Sequence, residues 1–338
     1  MTGLYGGFGT VNMGIRAGIV GTGYAAKARA GALRADARSQ LIGVAGHRPE
    51  STADFAQAHE LRPVESWQQL VSDDQIDLVV VCTVSSLHGD VVEAALTAGK
   101  HVIVEYPLSL DLAQAERLVK LAASQNLLLH VEHIELIGGL HLAMRDYLPQ
   151  IGVPSYVSYR TLNPQHPAPK KWTYHAEMFG FPFCGALSRV HRLIDLFGRV
   201  ARVDCCTQTV SDETDAAYFK NILSSARLQF EQEVVAELTY GKGDRLWNYH
   251  REIEVQGSLG AIAFIRDAGT LTTASGPEPI AVAPRRGLFV KDTEAVLSYL
   301  TEGKELYVSA ATSLYALSVG DALRRASLSG ETVYLDAD

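Results

Sequence analysis

The sequence predicts an α/β chain: a doubly wound parallel sheet first, then an α+β region built on a large, mostly antiparallel open sheet. Three observations carry this. A short apolar run, Gly18 to Val20, leads into Gly21, Gly23 and Ala26, the G-x-G-x-x-A spacing of a dinucleotide-binding turn, with an alanine-rich helix behind it. Apolar runs and helical patterns then alternate as far as residue 133, as parallel strands joined by crossover helices require. From residue 134 the rhythm changes to strands joined by short turns, the pattern of an antiparallel sheet.

Each element follows from its residues. Gly21 permits the tight turn, Gly23 lets the backbone approach a pyrophosphate, and Ala26 allows helix to pack closely on strand. Free N–H groups at the start of helix 25–33 hold the anion, so Thr22, Tyr24 and Ala25 are expected at the cofactor. Strand 40–46 ends at His47 and Arg48, with no acid before Glu50. An acidic residue here would bind the ribose 2′-hydroxyl of NAD, whereas arginine accommodates the 2′-phosphate of NADP, so NADPH is favoured over NADH. Helices 51–60 and 66–70 start at Ser51 and Ser66, both good N-caps. Thr83, Ser85 and His88 follow the buried strand 76–82 at its carboxyl end, where ligands of open α/β sheets bind. Helix 89–98, strand 101–105, helix 109–125 and strand 127–133 complete a Rossmann domain over 15–133.

A glycine-rich arm, 1–14, precedes it and lacks the basic and apolar regions of a signal peptide. The second domain, 134–338, is expected to hold strands 155–162, 201–209, 225–230, 234–240, 251–256, 260–265 and 270–273. Its helices are expected at 139–147, 185–197, 292–301 and 310–327.

Composition narrows the function. With 38 acidic against 30 basic residues the net charge is −8, which argues against a nucleic-acid partner. No apolar run is long enough to span a membrane. Cys82, Cys184, Cys205 and Cys206 show no C-x-x-C spacing, so free thiols in a reducing cytoplasm are expected. His130, Glu132, His133 and Glu135 alternate on a strand and so point to opposite faces, and no metal site is expected from them.

The runs GIVGTG (18–23), VCTVSSLH (81–88), AALTAGKHV (94–102) and EYP (105–107) resemble the Gfo/Idh/MocA oxidoreductases. The runs EYPLS (105–109), HVEHIEL (130–136), WTYH (172–175), FGFP (179–182), ALSR (186–189) and RRGLF (285–289) are similar to one branch of that family, the biliverdin reductases of the cyanobacterial type. The likeness spans residues 16 to 334. It implies NADPH-dependent reduction of biliverdin IXα at the C10 methine to bilirubin, with Glu105 and Tyr106 facing the nicotinamide.

The sugar and cyclitol dehydrogenases of the family carry Glu-Lys-Pro where this chain has Tyr106 in the middle. They also carry an Asp and a His ahead of Ile-Asp, where this chain has Ser188 and Arg192. An alcohol does not readily lose hydride when its hydroxyl proton has no acceptor, so these changes weigh against polyol oxidation. Arg189 and Arg192, at i and i+3 of a helix, offer bidentate partners for the two propionates of a bilin. Asp195, a further i+3 away, offers Arg192 a structural salt bridge instead.

Arg189 is expected to assist proton delivery and Tyr106 to donate a hydrogen bond. His133, Glu135 and Tyr174 are expected to line the substrate pocket, Tyr174 in an aromatic stretch with Trp172, Phe179 and Phe181. A sugar or cyclitol dehydrogenase, or a non-catalytic NADP-binding sensor, stay open as alternatives.

Overall fold

The computed structural model describes residues 14–335, so the expected arm lies outside the described residues except for Gly14. The first sheet is built from β1 (Ile15–Val20), β2 (Ser39–Ala45), β3 (Arg62–Val64), β4 (Leu78–Val81), β5 (His101–Val104) and β6 (Leu129–Val131). Helices α1 (Tyr24–Ala35), α2 (Pro49–His59), α3 (Trp67–Val71), α4 (Ser85–Thr97) and α5 (Leu112–Ser124) connect them. All neighbours pair in parallel in the order β3-β2-β1-β4-β5-β6, so the chain reverses direction of winding between β1 and β4. That switch point opens a crevice at the carboxyl ends of the strands. Leu78 to Val81 are wholly buried, which is why this strand reads as an unbroken apolar run.

The second half starts with a 3₁₀ turn, Ile134–Ile137, and α6 (Gly139–Tyr147), and continues through β7 (Pro154–Pro164), α7 (Ala176–Phe179), α8 (Pro182–Gly185) and α9 (Ser188–Phe197). Strands β8 (Val200–Asp212), β9 (Asp215–Phe230), β10 (Val235–Gly243), β11 (His250–Gly257), β12 (Gly260–Ile265), β13 (Ala268–Thr273) and β14 (Gly276–Ile280) follow, then α10 (Leu288–Glu302), α11 (Ala310–Ser329) and β15 (Val333–Tyr334). The nine strands run β14-β13-β12-β11-β7-β10-β9-β8-β15, antiparallel except where β10 lies parallel to β7.

Several boundaries differ from expectation, each for a local reason. The expected helix 185–197 is broken at Ala186 (φ −116°, ψ 37°), which separates α8 from α9. Strand β6 stops at Val131, so His133 and Glu135 sit at a 3₁₀ turn and not on a strand. The two-face alternation expected of them therefore does not apply. Helix α4 starts at Ser85 and takes in the expected loop as its first turn. Strand β14 was hidden by Pro277 and Pro279, which an edge strand tolerates.

A buried ionic network joins α10 to the first sheet. Arg29 of α1 is wholly buried and donates to Glu105 (3.1 Å), to Thr293 (3.2 Å) and to Asp292. Asp292 also holds the His130 ring (2.7 Å) and the Tyr307 hydroxyl (2.6 Å). The Arg29 guanidinium and His130 keep its carboxyl far below the usual carboxylate range, against the opposing pull of burial. Asp292→Ala leaves Arg29 as a buried, half-compensated cation. The expected loss is about 3–5 kcal/mol of unfolding free energy, read from the midpoint of urea denaturation.

Candidate active site

A cleft of about 1770 Å³ lies between the carboxyl edge of the first sheet and the second domain. That is more than a single small ligand needs, and it suits a dinucleotide with a second molecule beside it. Gly21 adopts φ +122°, and a Cβ there would come within 2.2 Å of the Cys82 carbonyl oxygen, so only glycine fits. A Cβ on Gly23 would meet nothing within 4 Å, which leaves its backbone open to a ligand.

Gly21, Thr22, Gly23, Tyr24, Ala25, His47, Arg48, Thr83, Ser85, His88, Glu105 and Tyr106 all line this cleft. His47, Arg48 and Ser51 form the wall at the end of β2, and no carboxylate lines that wall. His88 is buried, with Nδ1 2.7 Å from the Pro107 carbonyl and Nε2 3.2 Å from that of Thr83. It braces the Glu105–Pro107 loop. Burial lowers its pKa, so a neutral ring donates to one of those carbonyls.

The second-domain residues fall differently. The Tyr106 ring stacks on His133 (centroids 5.6 Å apart, planes within 7°), and burial pushes its hydroxyl pKa up to about 12. Arg189 lies close behind the cleft. Its Nε reaches Thr161 Oγ1 and its Nη1 reaches Ser188 Oγ, both at 3.4 Å, and its guanidinium lies 4.8 Å above the Tyr240 ring. Its contacts are hydroxyls and a ring rather than a carboxylate, and Tyr159, Tyr240, Tyr106 and Glu135 surround it.

Arg192 is buried and committed. Its terminal nitrogens donate to Glu135 (3.1 Å) and to Tyr159 (3.2 Å), and its burial keeps it off the cleft lining, so the expected pair with Asp195 does not form. Asp195 holds His141 at 2.7 Å instead. Neither Arg189 nor Arg192 is among the residues that line the cleft, which corrects the expectation that both guanidiniums face a substrate.

His133 and Tyr174 are corrected likewise, since both are buried and neither lines the cleft. His133 packs edge-on against His191 (centroids 3.9 Å apart), and burial with that neighbour holds its pKa well below the usual range. Tyr174 sits in the aromatic core against Phe219. Trp172 and Phe179 line the cleft, and Phe181 packs against Phe183.

The structure brings to the cleft residues that had no expected role there. Glu132 lines the cleft, and burial beside the Glu105 carboxylate pushes its carboxyl well above the usual range. Arg285, Arg286, Phe289 and Lys171 also line the cleft. An arginine doublet just ahead of a helix was the available signal. Lys242 stands behind the wall with its Nζ 3.3 Å from the centre of the Phe179 ring.

Two family models match the chain. One is the oxidoreductase family's NAD-binding Rossmann fold, over residues 15–133, and the other its C-terminal α/β domain, over 149–335. The chain belongs to the Gfo/Idh/MocA oxidoreductase family. Among solved structures it is similar to biliverdin reductase from Synechocystis sp. PCC 6803, in complex with biliverdin and NADP+. That likeness has a TM-score of 0.91 and 47% identity, covering 92% of this chain and 98% of that one. Biliverdin reductase A of Mus musculus is 27% identical over 252 residues, 74% of this chain and 79% of its own. A dTDP-3,4-didehydro-2,6-dideoxy-alpha-D-glucose 3-reductase of Actinomadura kijaniata is also 27% identical, covering 92% of this chain and 95% of its own.

Proposed function

We propose that this protein reduces biliverdin IXα at its C10 methine to bilirubin, using NADPH. The observation that carries the proposal is the 47% identity, across 92% of the chain, with a reductase solved with biliverdin and NADP+. Tyr106, Ser188 and Arg192 support it, since they stand where polyol dehydrogenases of the family carry their proton-handling groups. NADPH suits the cleft because Gly21 permits the tight turn, Gly23 leaves its backbone open at the start of α1, and Arg48 stands just past the end of β2. When bound, the cofactor supplies a hydride.

The chain's own residues handle charge and the proton. Arg189, with its guanidinium unclaimed by a carboxylate, orients a propionate or water and stabilises negative charge. Its pKa is too high for it to serve as a direct acid. Tyr106 remains protonated at neutral pH and donates a hydrogen bond beside it. Glu132, whose carboxyl burial and the Glu105 carboxylate push upward, is a further candidate acid on the cleft wall. Four unpaired thiols fit a reducing cytoplasm, and no helix among the described residues is long and apolar enough to cross a membrane.

The test is a spectrum. Protein mixed with NADPH and biliverdin should replace the green pigment with a yellow one as NADPH absorbance falls. Steady absorbance of both would overturn the proposal and favour a sensor. Arg48→Glu is expected to raise KM for NADPH roughly tenfold or more by losing a charged hydrogen bond, with KM for NADH lowered. Steady-state kinetics with each cofactor measures this.

A further inference from the structure

The cleft wall carries a carboxylate held between two guanidiniums. Glu135, in the 3₁₀ turn that leaves the first sheet, accepts from Arg192 on one oxygen at 3.1 Å and pairs with Arg285 through the other. The two arginines are unlike. Arg192 is buried and fixed on its far side by Tyr159, whereas the Arg285 side chain is 50% exposed. Arg285 belongs to the stretch 281–287, which forms no helix or strand, and it lines the cleft together with Glu135. Arg192 therefore anchors Glu135 from beneath, and Arg285 is latched onto it from above.

We propose that Arg285 is a specificity-determining clamp for a carboxylate of the substrate, and that Glu135 holds this clamp until the substrate displaces it. The assignment rests on the reductase reading above. The exchange leaves no charge stranded, because Glu135 keeps Arg192 while Arg285 trades one carboxylate for another. Losing a half-exposed ion pair costs little, whereas stripping a partner from a buried one costs much. That difference decides which arginine is released. Glu135 offers Arg285 only one oxygen, whereas a free propionate can take two parallel N–H···O bonds from a guanidinium, and Arg286 adds positive charge on the cleft lining. The clamp selects for a free carboxylate and against its neutral ester.

The test is a binding cycle in the presence of NADP+, using biliverdin and its dimethyl ester on wild type and on Arg285→Met, titrated by pigment absorbance. Arg285→Met is expected to weaken biliverdin about tenfold, the loss of one charge-assisted hydrogen-bonded contact. The ester should be almost unaffected and NADP+ affinity unchanged, and Arg285→Lys should recover part of the loss. Equal weakening of both pigments, or of neither, would overturn the clamp while leaving the reductase reading intact. So would a loss confined to NADP+, which would reassign Arg285 to a cofactor phosphate. Wild-type protein that binds neither pigment would overturn the reductase reading and the clamp together.

Discussion

Arg189→Ala lowers kcat for biliverdin by about a hundredfold, the usual cost of removing one preorganised donor from a site of developing charge, and leaves NADPH binding unchanged. The structure makes this a clean substitution. The contacts of Arg189 are the hydroxyls of Thr161 and Ser188 and the face of Tyr240, so its removal strands no buried carboxylate. Among the α9 arginines it stands apart from Arg192, whose replacement would leave Glu135 with Arg285 alone and Tyr159 without its donor. Arg192→Ala is accordingly a stability variant, and Arg189→Ala a turnover variant. Arg189→Lys keeps the charge without the planar fork and should fall between wild type and alanine. The measurements are kcat, KM for each substrate, and NADPH affinity by fluorescence. Turnover near the wild-type rate in Arg189→Ala would remove this residue from the chemistry.

The two halves of the site were legible in the sequence to different degrees, for a physical reason. In the first domain the strand order and the carboxyl-end rule follow from apolar runs and chain direction. Gly21, Arg48, Thr83 and Tyr106, far apart in sequence, meet at one edge of one sheet. In the second domain the site depends on rotation and long-range pairing. How Arg189 and Arg192 are turned, the one onto hydroxyls and the other onto Glu135, depends on where α9 begins, and the break at Ala186 leaves no mark in apolar periodicity. Glu135 finds partners 57 and 150 residues away, a pairing that local spacing does not encode. The Arg29–Asp292 pair spans 263 residues and is hidden in the same way. The first half of β9, rich in small and polar residues, was missed because its pairing with β8 supplies what its own pattern lacks. Lys242 did carry a signal: period-two alternation puts it on the same face as Leu238 and Tyr240, both buried.

That lysine leads to the prediction with the largest effect on stability. Lys242→Met stabilises the fold, and more so as pH falls from 10 to 6. Among the described residues no carboxylate pairs with Lys242. Its Nζ donates to the Thr173 carbonyl and lies 5.0 Å from the Tyr174 ring and 5.3 Å from that of Phe219. Burial first, then the positive charges of Arg189 and Lys171, lower its pKa from 10.5 to about 6. Between these values the unfolded chain binds a proton that the folded chain does not, so wild-type stability rises with pH through that window. Below about pH 6 the penalty is complete, and above 10.5 it vanishes. At neutral pH it has a ceiling of about 5 kcal/mol, from the free energy per pKa unit. Methionine removes the titrating group and keeps the side-chain length, so the gain over wild type should shrink steadily towards pH 10. Urea denaturation at three pH values reads this directly, and a gain independent of pH would refute it. This lysine packs against Phe179, which lines the cleft, and donates to the carbonyl of Thr173, which lines it too. The same substitution is therefore expected to lower kcat/KM for biliverdin while it raises the unfolding midpoint, stability gained where binding is lost.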